Sequence, residues 1–164
     1  MAKKKPYNKY KIDKSEKGKK AREINDEHTG KSFIAASAIE KKFYDEVIIP
    51  KFKSGEIIDY DLQKEYVLQE KFKRSDGSTI RKVSYISDYW VLDSNNIEHV
   101  FDIKGAGSLV DSVATLKKKL FLYKYPELDF RWLTHSQKTN WIEWDVYMKI
   151  KRAEKKAKKD KKET

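Results

Sequence analysis

The first segment in which hydrophobic positions recur with the period of an α-helix lies in the N-terminal third of the chain. Ile39, Phe43 and Val47 recur at the spacing of one helix face. They follow Ser37-Ala38-Ile39-Glu40, which has the spacing of a capping box, a common signal for the start of a helix. The sequence therefore predicts a helix from Ser37 to about Phe52, with Glu40 on its first turn beside the apolar stripe.

Runs with β character fill the middle of the chain. They are separated by turn residues, among them Asp76-Gly77 and Asp93-Ser94-Asn95-Asn96. The predicted strands are Ile57–Phe72 (one strand or two), Lys82–Leu92, Ile97–Ile103 and Leu128–Leu133. The second and third of these runs flank the Asp93–Asn96 turn, so they are predicted to form a hairpin.

Two further helices are predicted in the C-terminal half. Leu109–Tyr125 has Leu109, Val113, Leu116, Leu120 and Tyr123 on one side. Trp141–Lys162 is apolar at first and then basic, with Trp141, Trp144 and Met148 on one side; such a stripe usually packs on the core or on a partner subunit. Helices alternating with antiparallel strands in this order predict an α/β (mixed) fold, a central mixed β-sheet flanked by helices.

The predicted hairpin brings two carboxylates together. If its loop is the three residues Ser94–Asn96, Asp93 pairs with Ile97, and Asp88 lies opposite Asp102. Alternate side chains of a strand share a face, so Lys104 lies on the face of Asp102. Two carboxylates opposed across a ladder repel each other unless a positive charge lies between them.

The charge of the chain is concentrated at its ends. The 164 residues carry a net charge of +11, of which residues 1–22 contribute +8 and residues 149–164 contribute +6, so the segment between them carries −3. Lysine-rich ends commonly bind nucleic acid through counterion release, although such tails can also serve solubility alone. The N-terminal run has no apolar face for a membrane surface, so no membrane partner is expected.

Composition narrows the class of protein further. The absence of cysteine excludes disulfides and thiolate metal sites and suits a cytoplasmic protein. No apolar run is long enough to span a bilayer. One domain with tails is expected: a basic, flexible arm over residues 1–31, a core over 32–133 and a C-terminal segment, aromatic and then basic, over 134–164.

The opposed carboxylates suggest a metal site. Asp88, Asp102 and Glu40 offer the hard oxygen ligands that suit Mg²⁺ or Mn²⁺. Lys104 beside them could orient an attacking water or stabilise negative charge on a phosphate. An Asp and a Lys two residues apart on an exposed strand are also often simply solvated, so the local pattern leaves both interpretations open. The three histidines are isolated in sequence and give no metal-ligand spacing.

The order of these residues resembles a known superfamily. Glu40, Asp88 and then Asp102-Ile103-Lys104 follow the arrangement of the PD-(D/E)XK nucleases, in which a helix glutamate precedes a β-hairpin bearing Asp and Asp/Glu-x-Lys. The chain resembles more closely a family of small phage and prophage proteins, classed as a domain of unknown function and taken to be such nucleases. The segments that carry this resemblance lie between Ser32 and Leu133 and are Ser37–Tyr44, Ser54–Ile57, Tyr66–Gln69, Tyr85–Tyr89, Val100–Gly105 and Lys117–Pro126. Ser87 stands where the superfamily often has Pro, and Asp102 where relatives often have Glu.

The resemblance implies a fold, an activity and roles for four residues. The fold would be a restriction-endonuclease-like core, and the activity a Mg²⁺- or Mn²⁺-dependent DNA endonuclease. Asp88 and Asp102 would hold metal, Glu40 would contact metal or water, and Lys104 would be the catalytic lysine. The resemblance also implies a phage or prophage setting in a bacterial cytoplasm. The substrate would then be branched DNA such as four-way junctions, as for Holliday-junction resolvases. Symmetric cutting of a junction needs two sites, which implies a possible homodimer.

A second class of function remains open from the sequence. The chain could be a non-catalytic basic nucleic-acid-binding protein or a phage accessory protein, with its tails making the contacts.

Overall fold

The computed structural model describes residues 14–106 and 110–161. The α-helices are α1 Glu16–Lys20, α2 Ala38–Phe43, α3 Ile49–Ser54, α4 Ser112–Lys124 and α5 Trp144–Asp160, and a π-helical stretch, Tyr44–Ile48, joins α2 to α3. The strands are β1 Glu23–Asn25, β2 Ser32–Ile34, β3 Ile57–Leu62, β4 Glu65–Gln69, β5 Phe72–Lys73, β6 Thr79–Ile80, β7 Val83–Ile86, β8 Tyr89–Asp93, β9 Glu98–Ile103, β10 Asp129–Ser136 and β11 Asn140–Glu143.

The central sheet has five strands in the order β11-β10-β9-β8-β3. Strands β9 and β10 are parallel, and the other neighbouring strands are antiparallel. The parallel pair is possible because α4 lies between β9 and β10 in the chain and carries it back across the sheet. The prediction of a mixed α/β fold with a central mixed sheet flanked by helices is therefore confirmed.

The core lies on both faces of this sheet. Val91 and Ile103 belong to one cluster of buried side chains, which packs beneath the α2–α3 helix. Val100 and Trp132 belong to a second cluster, which includes Phe121 of α4 and residues of α5. Because neighbouring residues of a strand point to opposite faces, this division follows from the alternation of the sequence.

The predicted strand Lys82–Leu92 is two strands that belong to different sheets. Strand β7 pairs with β4 in a two-stranded sheet, whereas β8 pairs with β3 and β9 in the central one. The chain bends between them at Ser87 and Asp88. Ser87 is fully buried and its N–H donates to the carbonyl of Lys64 at 3.0 Å, which fixes the bend. The prediction of one continuous strand is corrected by this break, which lies at a candidate site residue.

The packed body begins before residue 31, the end of the N-terminal arm expected from composition. Strands β1 and β2 pair with each other, and Ile24 is buried in the core. Asp26 is also buried, and its carboxylate accepts hydrogen bonds from the hydroxyls of Tyr44 and Tyr60, both at 2.5 Å. These contacts join residues 23–34 to the helix and sheet. Residues 1–13 lie outside the described residues.

The two C-terminal helices differ from their predictions. Residues Asn140–Glu143 form strand β11, so the last helix begins at Trp144 and not at Trp141. Trp141 consequently packs on Phe43 and His135 rather than beside Trp144 on a helix. In α4 the apolar side chains predicted to share one side do so, but that side faces outward; Leu109 lies outside the described residues.

No helix within residues 14–106 and 110–161 combines the length and the apolar character needed to cross a membrane.

Candidate functional site

The β8–β9 hairpin has the register that the sequence predicts. Tyr89 pairs with Phe101, and the Asp93 N–H donates to the carbonyl of Ile97 at 3.0 Å, which leaves the loop Ser94–Asn96. Asn96 takes a positive φ of 61°, the left-handed residue that closes a three-residue hairpin loop. Continuing the pairing by one residue past Tyr89 sets Asp88 opposite Asp102, and the Asp88 N–H donates to the Phe101 carbonyl at 3.1 Å.

Asp102 and Lys104 form a close ion pair at the end of β9. The Lys104 ammonium lies 2.8 Å from both carboxylate oxygens of Asp102. Asp102 is only 8% exposed, and Lys104 is half-buried, so water screens this pair little. Asp102 and Lys104 therefore form a largely buried ion pair.

Asp88 is held beside Asp102 by a backbone contact. Its Oδ2 accepts a hydrogen bond from the Ile103 N–H at 2.6 Å. Burial, together with the charges of Asp102 and Glu40, raises the pKa of Asp88 well above its usual value. The pair of carboxylates thus favours either a proton on Asp88 or a cation between the two groups.

Glu40 contributes charge to the site while its carboxylate caps helix α2. One oxygen accepts the Ala36 N–H at 2.8 Å and the other accepts the Ser37 hydroxyl at 2.7 Å, while the Ser37 hydroxyl oxygen accepts the Glu40 N–H at 3.4 Å, so Ser37 caps the helix as predicted. Burial raises the pKa of Glu40, the bonds from Ser37 and Ala36 lower it, and the charge of Asp102 raises it further; the net direction is upward. Among the described residues no three acidic or histidine side chains are arranged to hold a metal ion. The structure brings Asp88, Asp102 and Lys104 together and leaves the Glu40 carboxylate on its cap.

Two buried aromatic residues, Tyr85 and Trp132, contact the Asp102–Lys104 ion pair. The Tyr85 hydroxyl donates to Oδ2 of Asp102 and accepts from the Trp132 indole N–H at 3.0 Å. The Lys104 ammonium also lies 4.9 Å from the centre of the Trp132 ring. On α4, the Lys118 ammonium lies 4.3 Å from the same ring and is held by Asp145 at 3.1 Å.

No role at the site was predicted for Tyr85, Trp132 or Lys118. Aromatic residues on strands are usually core residues, and here the three side chains reach the site from β7, β10 and α4. The resembling segments Tyr85–Tyr89 and Lys117–Pro126 include Tyr85 and Lys118, but the resemblance assigned neither of them a role. Contacts between such distant positions depend on strand order, which the local pattern does not contain.

Comparison with known families identifies one match. Residues 20–140 match the family described as "Protein of unknown function (DUF1064)". The chain belongs to this family. The match covers most of the chain and includes Glu40, Asp88, Asp102 and Lys104, whereas helix α5 lies beyond it. No curated protein and no solved structure matches the chain.

The DUF1064 fold also contains a pocket on the other face of the sheet. It has a volume of about 590 Å³, and its lining includes Phe43, Phe101, Trp141 and His99. His99 stacks on Phe101, and its two ring nitrogens lie 2.6 Å from Asp129 and 3.2 Å from Asp93. Because Phe101 and Asp102 are consecutive on β9, this pocket and the Asp102 site lie on opposite faces.

The residues at the Asp88–Asp102 site fit a small divalent cation. Mg²⁺ is usually held in proteins by one or two carboxylates, with water and substrate phosphate completing its shell. Asp88 and Asp102 supply two such carboxylates from paired strands, and burial, together with repulsion from Asp102 and Glu40, raises the pKa of Asp88. A cation would relieve that repulsion, which is the electrostatic requirement for a site of this kind.

Proposed function

We propose that this chain is a metal-dependent DNA endonuclease of the PD-(D/E)XK type, with a restriction-endonuclease-like core. The observation that carries the proposal is the register of the β8–β9 hairpin, which sets Asp88 opposite Asp102, where the Lys104 ammonium lies 2.8 Å from the Asp102 carboxylate. The mixed five-stranded sheet with helices on both sides supports the fold assignment.

Each residue has a role that follows from its position. Asp88 and Asp102 would hold Mg²⁺ or Mn²⁺, and Glu40 would add negative charge near them and contact metal or water. The bound ion would neutralise the scissile phosphate and lower the pKa of a bound water. Lys104, fixed beside Asp102, would donate to the attacking water or to a phosphate oxygen on which negative charge develops.

The charge distribution supports DNA as the partner. The body between residues 23 and 148 carries −3, so a polyanion would approach it against repulsion unless cations intervene. The second half of α5 presents many exposed lysines, which can bind phosphates of the nucleic acid. The rest of the proposal follows from the resemblance. The protein would act in a phage or prophage setting in the bacterial cytoplasm, and its substrate would be a four-way junction that a homodimer cuts symmetrically.

The alternative function is binding of nucleic acid without catalysis. The observation that favours it is α5, whose basic residues lie outside the family match and would bind phosphates whether or not the hairpin site is active. In that case, Asp102 and Lys104 would form only a structural ion pair.

Incubation with a panel of nucleic acids distinguishes the two functions. Supercoiled plasmid, linear duplex, a synthetic four-way junction and a duplex RNA would each be incubated with Mg²⁺, Mn²⁺ or EDTA. Metal-dependent strand cleavage supports the enzyme, and preference for the junction supports the substrate class. Binding to all substrates with no cleavage in either metal would leave the non-catalytic function.

A further inference from the structure

Helix α4 carries an apolar stripe that the rest of the described protein does not cover. Val113, Leu116, Leu120 and Tyr123 are 61%, 58%, 40% and 87% exposed. At 3.6 residues per turn they fall on one side of the helix and extend over about 15 Å, or roughly three turns. Isolated exposed apolar side chains are ordinary, but a continuous stripe of four marks a contact surface.

The helix cannot turn this stripe inward, because its opposite side is already packed. Phe121 is fully buried in the second core cluster and contacts Tyr66, Phe130 and Tyr125. After the last turn, the Tyr125 hydroxyl donates to the carbonyl of Val67 at 2.9 Å. The orientation of α4 is therefore fixed by the core, and the stripe faces outward.

The borders of the stripe are positively charged. Lys117 and Lys124 lie along one edge and Lys119 along the other, and helix α4 contains no acidic residue. Within the described residues none of these three lysines pairs with a carboxylate; the Lys124 ammonium donates to the Val67 carbonyl at 2.7 Å. The surface is thus an apolar stripe with two lysines on one edge and one on the other, none of them paired with a carboxylate of the described residues.

We propose that this face of α4 binds an amphipathic helix of another protein, with acidic residues on both sides of that helix's apolar stripe. Anchors at the spacing i, i+3, i+7 and i+10 match the way a helix packs along another helix, and acidic borders would pair with Lys117, Lys119 and Lys124. Charge argues against a second copy of this chain as the occupant, because symmetric packing would bring the same lysines into opposition.

A flat anionic bilayer fits the surface less well than a single helix. A bilayer would approach the neighbouring protein surface as well as α4, and the body between residues 23 and 148 carries −3. A single acidic helix would contact α4 alone. Nucleic acid would use the lysines but would leave the apolar stripe uncovered.

Two labelled helical peptides test this proposal with the full chain. Both carry the same leucine stripe; one has glutamate on its borders and the other has lysine. Fluorescence anisotropy should show the glutamate peptide binding at least about tenfold more tightly, because only its borders complement the lysines. Leu116→Glu should weaken that binding by about tenfold or more, and Lys119→Glu should reduce the preference for glutamate borders.

Ile58→Glu is the matched control. Ile58 is 49% exposed on β3, so the substitution has similar chemistry at a distance from α4 and should leave peptide binding unchanged. Circular dichroism would show that each variant is folded. Equal binding of the two peptides, or glutamate-peptide binding that Leu116→Glu does not weaken, would overturn the proposal. The proposal would also be overturned if the chain formed a dimer in sedimentation, or bound phosphatidylserine vesicles, and Leu116→Glu abolished that dimer or that binding.

Discussion

The hydroxyl of Tyr85 donates a hydrogen bond to the carboxylate of Asp102, and so joins the two-stranded β4–β7 sheet to the central sheet. The same oxygen accepts the indole N–H of Trp132. Tyr85 therefore fixes one oxygen of Asp102, while Lys104 contacts both. The position of the central carboxylate depends on a residue from outside the hairpin that carries it.

Tyr85→Phe should disturb this carboxylate without changing the shape of the core. The substitution removes a donor from Asp102 and leaves the Trp132 N–H without its acceptor, which should cost roughly 1–3 kcal/mol in the free energy of unfolding. Tyr66→Phe is the matched control, because the Tyr66 hydroxyl is buried and has no hydrogen-bond partner within residues 14–106 and 110–161. Chemical denaturation should show a clear loss for Tyr85→Phe and little loss or a gain for Tyr66→Phe. Equal effects of the two substitutions would contradict the proposed contact.

Lys104→Ala should separate DNA binding from cleavage. If the Lys104 ammonium stabilises charge that develops on the phosphate, its loss should reduce the cleavage rate by about 10²–10³-fold. Affinity for DNA should change little, because the net positive charge lies in residues 1–22 and 149–164. Single-turnover cleavage and a binding assay in Ca²⁺ measure the two quantities. Lys82→Ala removes an exposed lysine paired with Glu65 and should leave both unchanged. A loss of binding as large as the loss of cleavage would exclude this role.

Asp88→Asn should stabilise the metal-free protein at neutral pH. Burial and the charges of Asp102 and Glu40 raise the pKa of Asp88 in the folded state. A carboxyl with a raised pKa contributes stability below its unfolded value, about 3.9, and loses it as the pH rises through the folded value. At pH 7 the neutral amide should therefore raise Tm by a few degrees, and at pH 3 the difference should vanish. Added Mg²⁺ should raise Tm for the wild type more than for the variant.

Asp93→Asn should have the opposite sign. Hydrogen bonds from the Ile97 N–H, from His99 and from Asn95 lower the pKa of Asp93 to about 2. A carboxyl with a lowered pKa stabilises the fold above its unfolded value and loses that contribution as the pH falls through the folded one. Thermal melts from pH 7 to pH 2 should show Asp93→Asn below the wild type at neutral pH and close to it in acid. Stabilisation at neutral pH would contradict the bonding seen at the hairpin turn.

Asp26→Ala tests whether the segment before residue 31 belongs to the packed body. The carboxylate accepts from Tyr44, Tyr60 and the N–H and hydroxyl of Thr29, and its loss should cost on the order of 3 kcal/mol. Burial alone would raise the pKa of Asp26, but these bonds lower it, and the net direction is downward. The wild type should therefore become less stable as the pH falls through this pKa, and the variant, which has no carboxyl group there, should not show that loss. Asp45→Ala removes an exposed carboxylate paired with Lys41 and should cost about 0.5 kcal/mol or less. Similar losses for both would show that the segment contributes little.

The parts of the site that follow from local sequence were predicted, and the parts that follow from strand order were not. The three-residue loop and the alternation of side chains suffice to oppose Asp88 and Asp102. The contact of Tyr85 with Asp102 arises because the chain bends at Asp88 and sends β7 into another sheet. A continuous hydrophobic run does not reveal such a bend, since a strand that changes sheet keeps its β propensity on both sides.

The fold shows the same division between local and distant information. The capping box at Ser37–Glu40 specifies the helix start correctly because all its partners lie within four residues. The outward face of α4 could not be foreseen, because an apolar stripe of helical period predicts burial unless the neighbouring elements are known. Phe121, rather than the stripe, is the residue of α4 that the core buries completely.

The most direct test of the proposed site is cleavage of a synthetic four-way junction by wild type and by Asp102→Asn, in Mn²⁺, in Mg²⁺ and in EDTA. The substitution keeps the size of the side chain and removes the charge that Lys104 and a metal would share. Cleavage by the wild type in either metal, absent in EDTA and reduced at least about 10²-fold in the variant, is the expected result. No cleavage by the wild type in any metal, or equal cleavage by the two proteins, would show that Asp88, Asp102 and Lys104 do not form a nuclease site.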